Sequence, residues 1–202
     1  QNLLSSFTDP SIGIAGPLLL YPQEGMIIQH AGVDIGKVEE TIFPFHIFRG
    51  RSIEETPKAL MKKEYMAVTG DCLMIRKELL DQYGAFDERF INSYEDVDLC
   101  LRMRSKGYKI IYNPTSIVVH LESQTPGRNT YDKQNQQLLN SIWSHTIPVT
   151  AESYLRMVES LTRDVLMEDP HSLKSMENLI FVYKELQEPH LLAKYQQLYN
   201  VV

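Results

Sequence analysis

Ser93-Tyr94-Glu95-Asp96-Val97-Asp98-Leu99-Cys100-Leu101-Arg102 opens a helix with three carboxylates in its first turn. Negative charge is favoured there by the helix dipole, and Asn92 and Ser93 are both candidate caps. Val97, Cys100, Leu101 and Arg104 follow at helical spacing, and Gly107 marks the end. Dipole and capping preferences alone make acidic residues common at such a position. The Asp-x-Asp step also suggests calcium, but the loop lacks the glycine and closing glutamate of an EF-hand.

Around this helix the sequence reads as α/β. Upstream, the apolar run 12–20 suits a buried strand. Residues 36–58, with Pro44, Gly50 and Pro57, read as a long irregular segment. Strands are expected at 65–70 and 71–75, then a helix at 76–83 stopped by Gly84. Downstream, 108–112 is a strand closed by Asn113-Pro114, and 116–120 is a second strand ending on His120. After residue 147 the character changes. Glycine disappears, and helical patterns run over about 151–167, 172–187 and 190–200. This divides the chain into an α/β part, 1–147, and a helical tail, 148–202. The spacing of Leu179, Tyr183 and Ala193 loosely resembles the start of a tetratricopeptide repeat.

Composition narrows the function. The 202 residues are 43% hydrophobic and 23% charged, with a formal net charge of −6, which argues against a nucleic-acid partner. No apolar run is long enough for a transmembrane segment, and Gln1-Asn2-Leu3-Leu4-Ser5 does not read as a signal peptide. Cys72 and Cys100 both sit in apolar runs and read as reduced core thiols. A cytoplasmic protein is expected.

Five stretches in order then carry a resemblance: 69–76 (Thr-Gly-Asp-Cys-Leu-Met-Ile-Arg), 83–88 (Tyr-Gly-Ala-Phe-Asp-Glu), 94–102, 107–110 (Gly-Tyr-Lys-Ile) and 118–120 (Val-Val-His). Together with 135–143, which ends on Trp143, they resemble the C-terminal half of family 2 glycosyltransferases, above all the rhamnosyltransferase-like branch. The resemblance covers about residues 10–145. It implies the acceptor-side part of a GT-A fold with a mixed sheet. Asp96 matches the family's general base, which takes the proton from an acceptor hydroxyl as it attacks the anomeric carbon and inverts it. His120 matches the residue that completes coordination of a divalent metal, Mn or Mg, bridging the donor diphosphate. Gly70 and Asp71 are placed at the floor of the acceptor site. Glu95 lies beside the base, and Arg128 is placed on the diphosphate. The implied partners are a nucleotide-diphosphate sugar and a saccharide or other hydroxyl acceptor, in work such as cell-surface polysaccharide synthesis.

The resemblance also exposes a gap. The family's nucleotide-binding strand and its Asp-x-Asp metal motif have no counterpart here, since Asp34 stands alone. The expectation is therefore a fragment of a longer chain that alone neither holds the metal nor transfers sugar, and whose exposed sheet edge or tail could pair with a second copy. The competing reading is a non-catalytic interaction module on a relic transferase fold. A third, a response-regulator-like domain, is disfavoured by the irregular 36–58 stretch.

Overall fold

Ile12–Leu20 forms β1, nine residues all buried, and it is the spine of the protein. A strand hidden on both faces needs an uninterrupted apolar run rather than an alternating one, and Ile-Gly-Ile-Ala-Gly-Pro-Leu-Leu-Leu supplies it. Gly16 is required by proximity: a Cβ there would stand 2.6 Å from Val68 Cβ. The computed structural model describes residues 2–121, 128–148 and 150–201.

β2 (Ile28–His30) and β7 (Lys109–Val119) flank β1, antiparallel and parallel respectively. β5 (Lys63–Glu64) extends the sheet beyond β7, and β6 (Met74–Ile75) also pairs with β1. α1 (Lys77–Tyr83), α2 (Glu95–Ser105) and α3 (Asp132–Trp143) complete the α/β part. α2 buries Val97, Leu99, Cys100, Leu101 and Met103 in one core with Ile14, Val68, Ile110 and Leu139. The observed mixed sheet with flanking helices, followed by a helical tail, agrees with the expected fold class.

Local details differ from the sequence expectations. The supposedly irregular 36–58 stretch begins inside a hairpin, β3 (Val33–Val38) with β4 (Thr41–His46). Pro44 had hidden it, but proline is tolerated in this two-stranded ribbon because one edge of each strand is unpaired. The strands expected at 108–112 and 116–120 are one strand. Asn113-Pro114 produces a register shift against Pro17 and Leu18 rather than a stop. Residues 65–70 form no strand and touch the hairpin through a single bridge, Val33 to Ala67. Of 71–75, only Met74–Ile75 pairs. Both cysteines are free thiols, Cys100 buried and Cys72 only partly so.

α4 (Ala151–Glu168), α5 (Leu173–Glu185) and α6 (Pro189–Tyr199) follow. Thr150 and Ser153 form a reciprocal capping box at the start of α4. α4 lies on the β3–β4 hairpin, and Met157 joins the core of Leu18, Ile28, Phe45 and Tyr112. Gly36 makes this approach possible, because a Cβ there would meet Met157 Cβ at 2.8 Å. α5 and α6 close over Leu179, Val182, Tyr183, Leu191 and Tyr195. Ala193, the third residue of the repeat-like spacing, is exposed.

A buried ionic knot fastens tail to sheet. Arg51 donates to Glu159 (Nε to Oε1, 2.6 Å) and to Glu188 (Nη1 to Oε2, 2.9 Å). Arg156 donates to the same two carboxylates at 3.0 and 2.6 Å. Arg163 donates to Tyr183 Oη, which in turn donates to Glu159 at 3.0 Å.

Candidate active site

α2 does not start as its sequence suggests. Its capping residue is Tyr94, in a left-handed conformation (φ 69°) with no side-chain cap. Asn92 is also left-handed (φ 61°), and the Ser93 hydroxyl donates to Asp132 at 2.8 Å instead of capping. Two non-glycine residues held at positive φ within three positions represent backbone strain next to a cleft. In place of a cap, Asp96 turns its own carboxylate back on the first turn, and Oδ1 accepts the Val97 N–H at 2.7 Å.

The other oxygen of Asp96 accepts the Gly70 N–H at 2.7 Å. A Cβ on Gly70 would lie 3.1 Å from Asp96 Cβ, so a side chain here would crowd the aspartate. Thr69, Gly70 and Asp71 thus form a ledge that grips the aspartate. Ledge and helix start together line a cleft of about 340 Å³, with Glu95, Tyr94 and Phe86 on one side and Pro44, Phe45 and His46 from the hairpin on the other.

Burial, the largest influence, pushes the Asp96 carboxyl above its ordinary value of 3.8, and Asp71 pushes the same way. The hydrogen bonds from Gly70 and Val97 oppose this without cancelling it. The acidic neighbour that adds to the burial is Asp71, from the ledge. Asp98 is turned away and saturated: Arg102 donates to its Oδ2 at 3.0 and 3.2 Å, and Trp143 Nε1 to its Oδ1 at 2.9 Å. One of the three carboxylates is a fold residue, locking α2 to α3.

His120 follows the last residue of β7, where its N–H donates to Leu20 O at 3.0 Å. Its Nδ1 lies 2.9 Å from Gln29 Oε1 and 3.6 Å from Asp71 Oδ2. Asp96 and His120 therefore meet the same ledge from different elements, with Asp71 beside both. An imidazole and one carboxylate fit one edge of a cation site. Among the described residues, no group of three or more His, Cys, Asp or Glu side chains is disposed to hold a metal. Arg128 begins a short 3-10 turn, Arg128–Tyr131; its side chain lies outside the described residues.

Sequence reasoning overlooked a second layer. His30 is fully buried, its Nδ1 2.9 Å from His46 Nδ1 and its Nε2 accepting the Thr69 N–H at 3.5 Å. Burial, then the nearby His46 and Arg49, hold His30 well below the ordinary 6.5, so it stays neutral. His46 reaches the cleft from β4. No spacing rule joins positions 29, 30, 46 and 120; only the closed sheet does.

The mixed sheet with flanking helices is consistent with part of a GT-A fold. Residues 48–137 match the family model described as glycosyltransferase like family 2. An uncharacterized protein of Sinorhizobium fredii is 34% identical over 119 residues, 58% of this chain and 13% of that protein. The O-antigen biosynthesis protein RfbC of Myxococcus xanthus is 32% identical over 124 residues, 61% of this chain and 10% of its own length. An N-acetylglucosaminyl-diphospho-decaprenol L-rhamnosyltransferase of Mycobacterium tuberculosis is 37% identical over 62 residues, 31% and 20% of the two chains. The chain spans between 10% and 20% of the length of these relatives. Every residue of the Asp96 helix lies inside the segment that matches this family model.

Proposed function

We propose that this chain supplies the acceptor side of an inverting sugar transfer from a nucleotide-diphosphate donor, with Asp96 as general base. The observation that supports it most is Asp96 itself, a carboxylate held at a cleft by a main-chain N–H and with its proton affinity raised. An acceptor hydroxyl enters the cleft, and its oxygen attacks the anomeric carbon as its proton passes to Asp96. The bond from that carbon to the diphosphate oxygen breaks, and the nucleoside diphosphate leaves from the opposite face. The Gly70 N–H fixes the base oxygen, while Asp71 and Glu95 offer acceptors to sugar hydroxyls in the same cleft. His120, with Asp71, would contribute to holding a divalent cation. Such an ion, when bound, neutralises the charge that develops on the departing diphosphate.

On this reading the 202 residues alone do not turn over donor, because His120 and Asp71 provide only part of what a hard cation requires. The acceptor is a saccharide or other hydroxyl compound, a reading that the relatives named for O-antigen synthesis and rhamnosyl transfer support, and the proposed compartment is the cytoplasm. The test uses a longer protein containing this segment, incubated with manganese and a panel of nucleotide sugars. Nucleoside diphosphate release and the anomeric configuration of the product are measured for wild type and Asp96→Asn. Release with inversion in wild type alone is expected. Equal release by Asp96→Asn, or a product that retains configuration, overturns the proposal.

A further inference from the structure

Val33 lines the Asp96 cleft, and its neighbour Asp34 lines a separate cavity of about 470 Å³. Successive residues of a strand point to opposite faces, so the β3–β4 hairpin is the wall between the two. The second cavity is closed by residues 58–65 on one side and by the start of α4 on the other. Its volume falls within the roughly 300–1,000 Å³ of small-molecule sites. Tyr65, 8% exposed, is held rigidly in its wall. The Tyr65 N–H donates to Ile110 O at 3.1 Å, and Arg104 Nη1 donates to the Tyr65 carbonyl at 3.0 Å. The ring lies so close to Gly32 that a Cβ there would stand 2.2 Å from Cδ2.

The hydroxyl of Tyr65, by contrast, bonds to no group among the described residues. The charges it feels are Asp34, Arg156 and Glu152, all in the cavity wall. Burial and then Asp34 push the phenol up to about 12, so it keeps a proton to donate. Asp34 is half-buried; Oδ1 accepts the Ile35 N–H at 2.9 Å, and Oδ2 has no partner among the described residues. Lys63 sets its ammonium 5.0 Å from the centre of the Tyr65 ring and pairs with no carboxylate among those residues. Polar groups so far withdrawn from water call for partners. We propose that this cavity is a second saccharide site, taking one sugar unit whose hydroxyls bridge Asp34 and Tyr65. A hydroxyl donates and accepts at once. It can give its proton to Asp34 Oδ2 while accepting from Tyr65 Oη or Lys63 Nζ, and adjacent hydroxyls of a pyranose serve both. Ile47 and Phe48 offer apolar surface to the C–H face of the ring. A simple anion would meet Asp34 and Glu152 as well as the lysine. The site asks for no bond to be made or broken, so it stands whether or not Asp96 is a base.

The experiment titrates the 15N-labelled chain with cellobiose, maltose and chitobiose, and with inorganic phosphate as a probe of charge alone, followed by amide NMR. At least one disaccharide is expected to saturate and to move the signals of Asp34, Ile35 and Tyr65. Tyr65→Phe keeps the ring and should weaken that binding about 3- to 10-fold, the worth of one hydrogen bond. Its melting temperature should be no lower than wild type, because the hydroxyl it removes has no partner in the fold. Asp34→Asn should weaken binding at least as much. No saturable shift with any disaccharide overturns the inference, as does phosphate bound more tightly than all three. A Tyr65→Phe protein that melts well below wild type gives the hydroxyl a structural partner and also overturns it. Shifts confined to Gly70 and Asp96, unaffected by Tyr65→Phe, put the sugar in the other cleft; they sink this site and leave the base assignment standing.

Discussion

Asp96 and Glu159 are both carboxylates on helices, the first half-buried at a cleft and the second buried, and they end with opposite shifts in proton affinity. Burial pushes each one up. At Glu159 the charges of Arg51, Arg163 and Arg156 outweigh it, and the carboxyl titrates below its ordinary 4.5. At Asp96 the opposing groups are two main-chain N–H donors, with Asp71 reinforcing the burial, and the carboxyl titrates above its ordinary 3.8. Three arginines make a carboxylate into a permanent anion that fastens helices to a sheet. Burial and a neighbouring acid leave the other with its proton affinity raised, as the proposed base role requires. Asp98, two residues along the helix from Asp96, is taken up in the fold by hydrogen bonds from Arg102 and Trp143.

The contrast can be broken at either end. Asp96→Asn in a longer, active protein should reduce turnover by about 10²–10⁴-fold, the usual worth of a positioned base, with the melting temperature close to wild type. Glu159→Ala leaves Arg51 and Arg163 facing each other in a buried site. It should cost about 3–5 kcal/mol of stability in urea denaturation, as expected when one member of a buried ion network is removed. Gly16→Ala forces a methyl against the stiff Val68 side chain and should cost about 1–3 kcal/mol, read in the same assay. The smallest effect sharpens the sign. Because the folded pKa of Glu159 lies below its unfolded value, its contribution is present above pH 4.5 and is lost as pH falls through the folded value. Urea midpoints measured downward from pH 4.5 should therefore decline more steeply in wild type than in Glu159→Gln.

What could be read from the chain follows the same division. β1, α2 and the three tail helices announce themselves by local pattern: a nine-residue apolar run, a helical stripe with acids at its head, and helical patterns in a glycine-free stretch. Asp96 and His120 were singled out through ordered motifs, and both come to the ledge beside Asp71. The β3–β4 hairpin was not, because Pro44 breaks the alternation that would have marked a strand. The cap at Tyr94 was not, because its left-handed backbone is imposed by the surrounding packing rather than by residue preference. Gln29 and His30 reach the site through a bulge, and Arg51 meets Glu159 across 108 positions. Such pairings exist only once the sheet has closed.

The most direct measurement is the turnover of Asp96→Asn against that of Asp98→Asn in the same longer protein, each corrected for the fraction folded. Asp98→Asn should keep wild-type turnover per folded molecule while losing stability, and Asp96→Asn should keep stability while losing turnover. Equal turnover in wild type and Asp96→Asn, or loss of turnover in a well-folded Asp98→Asn alone, would contradict the assignment of the base.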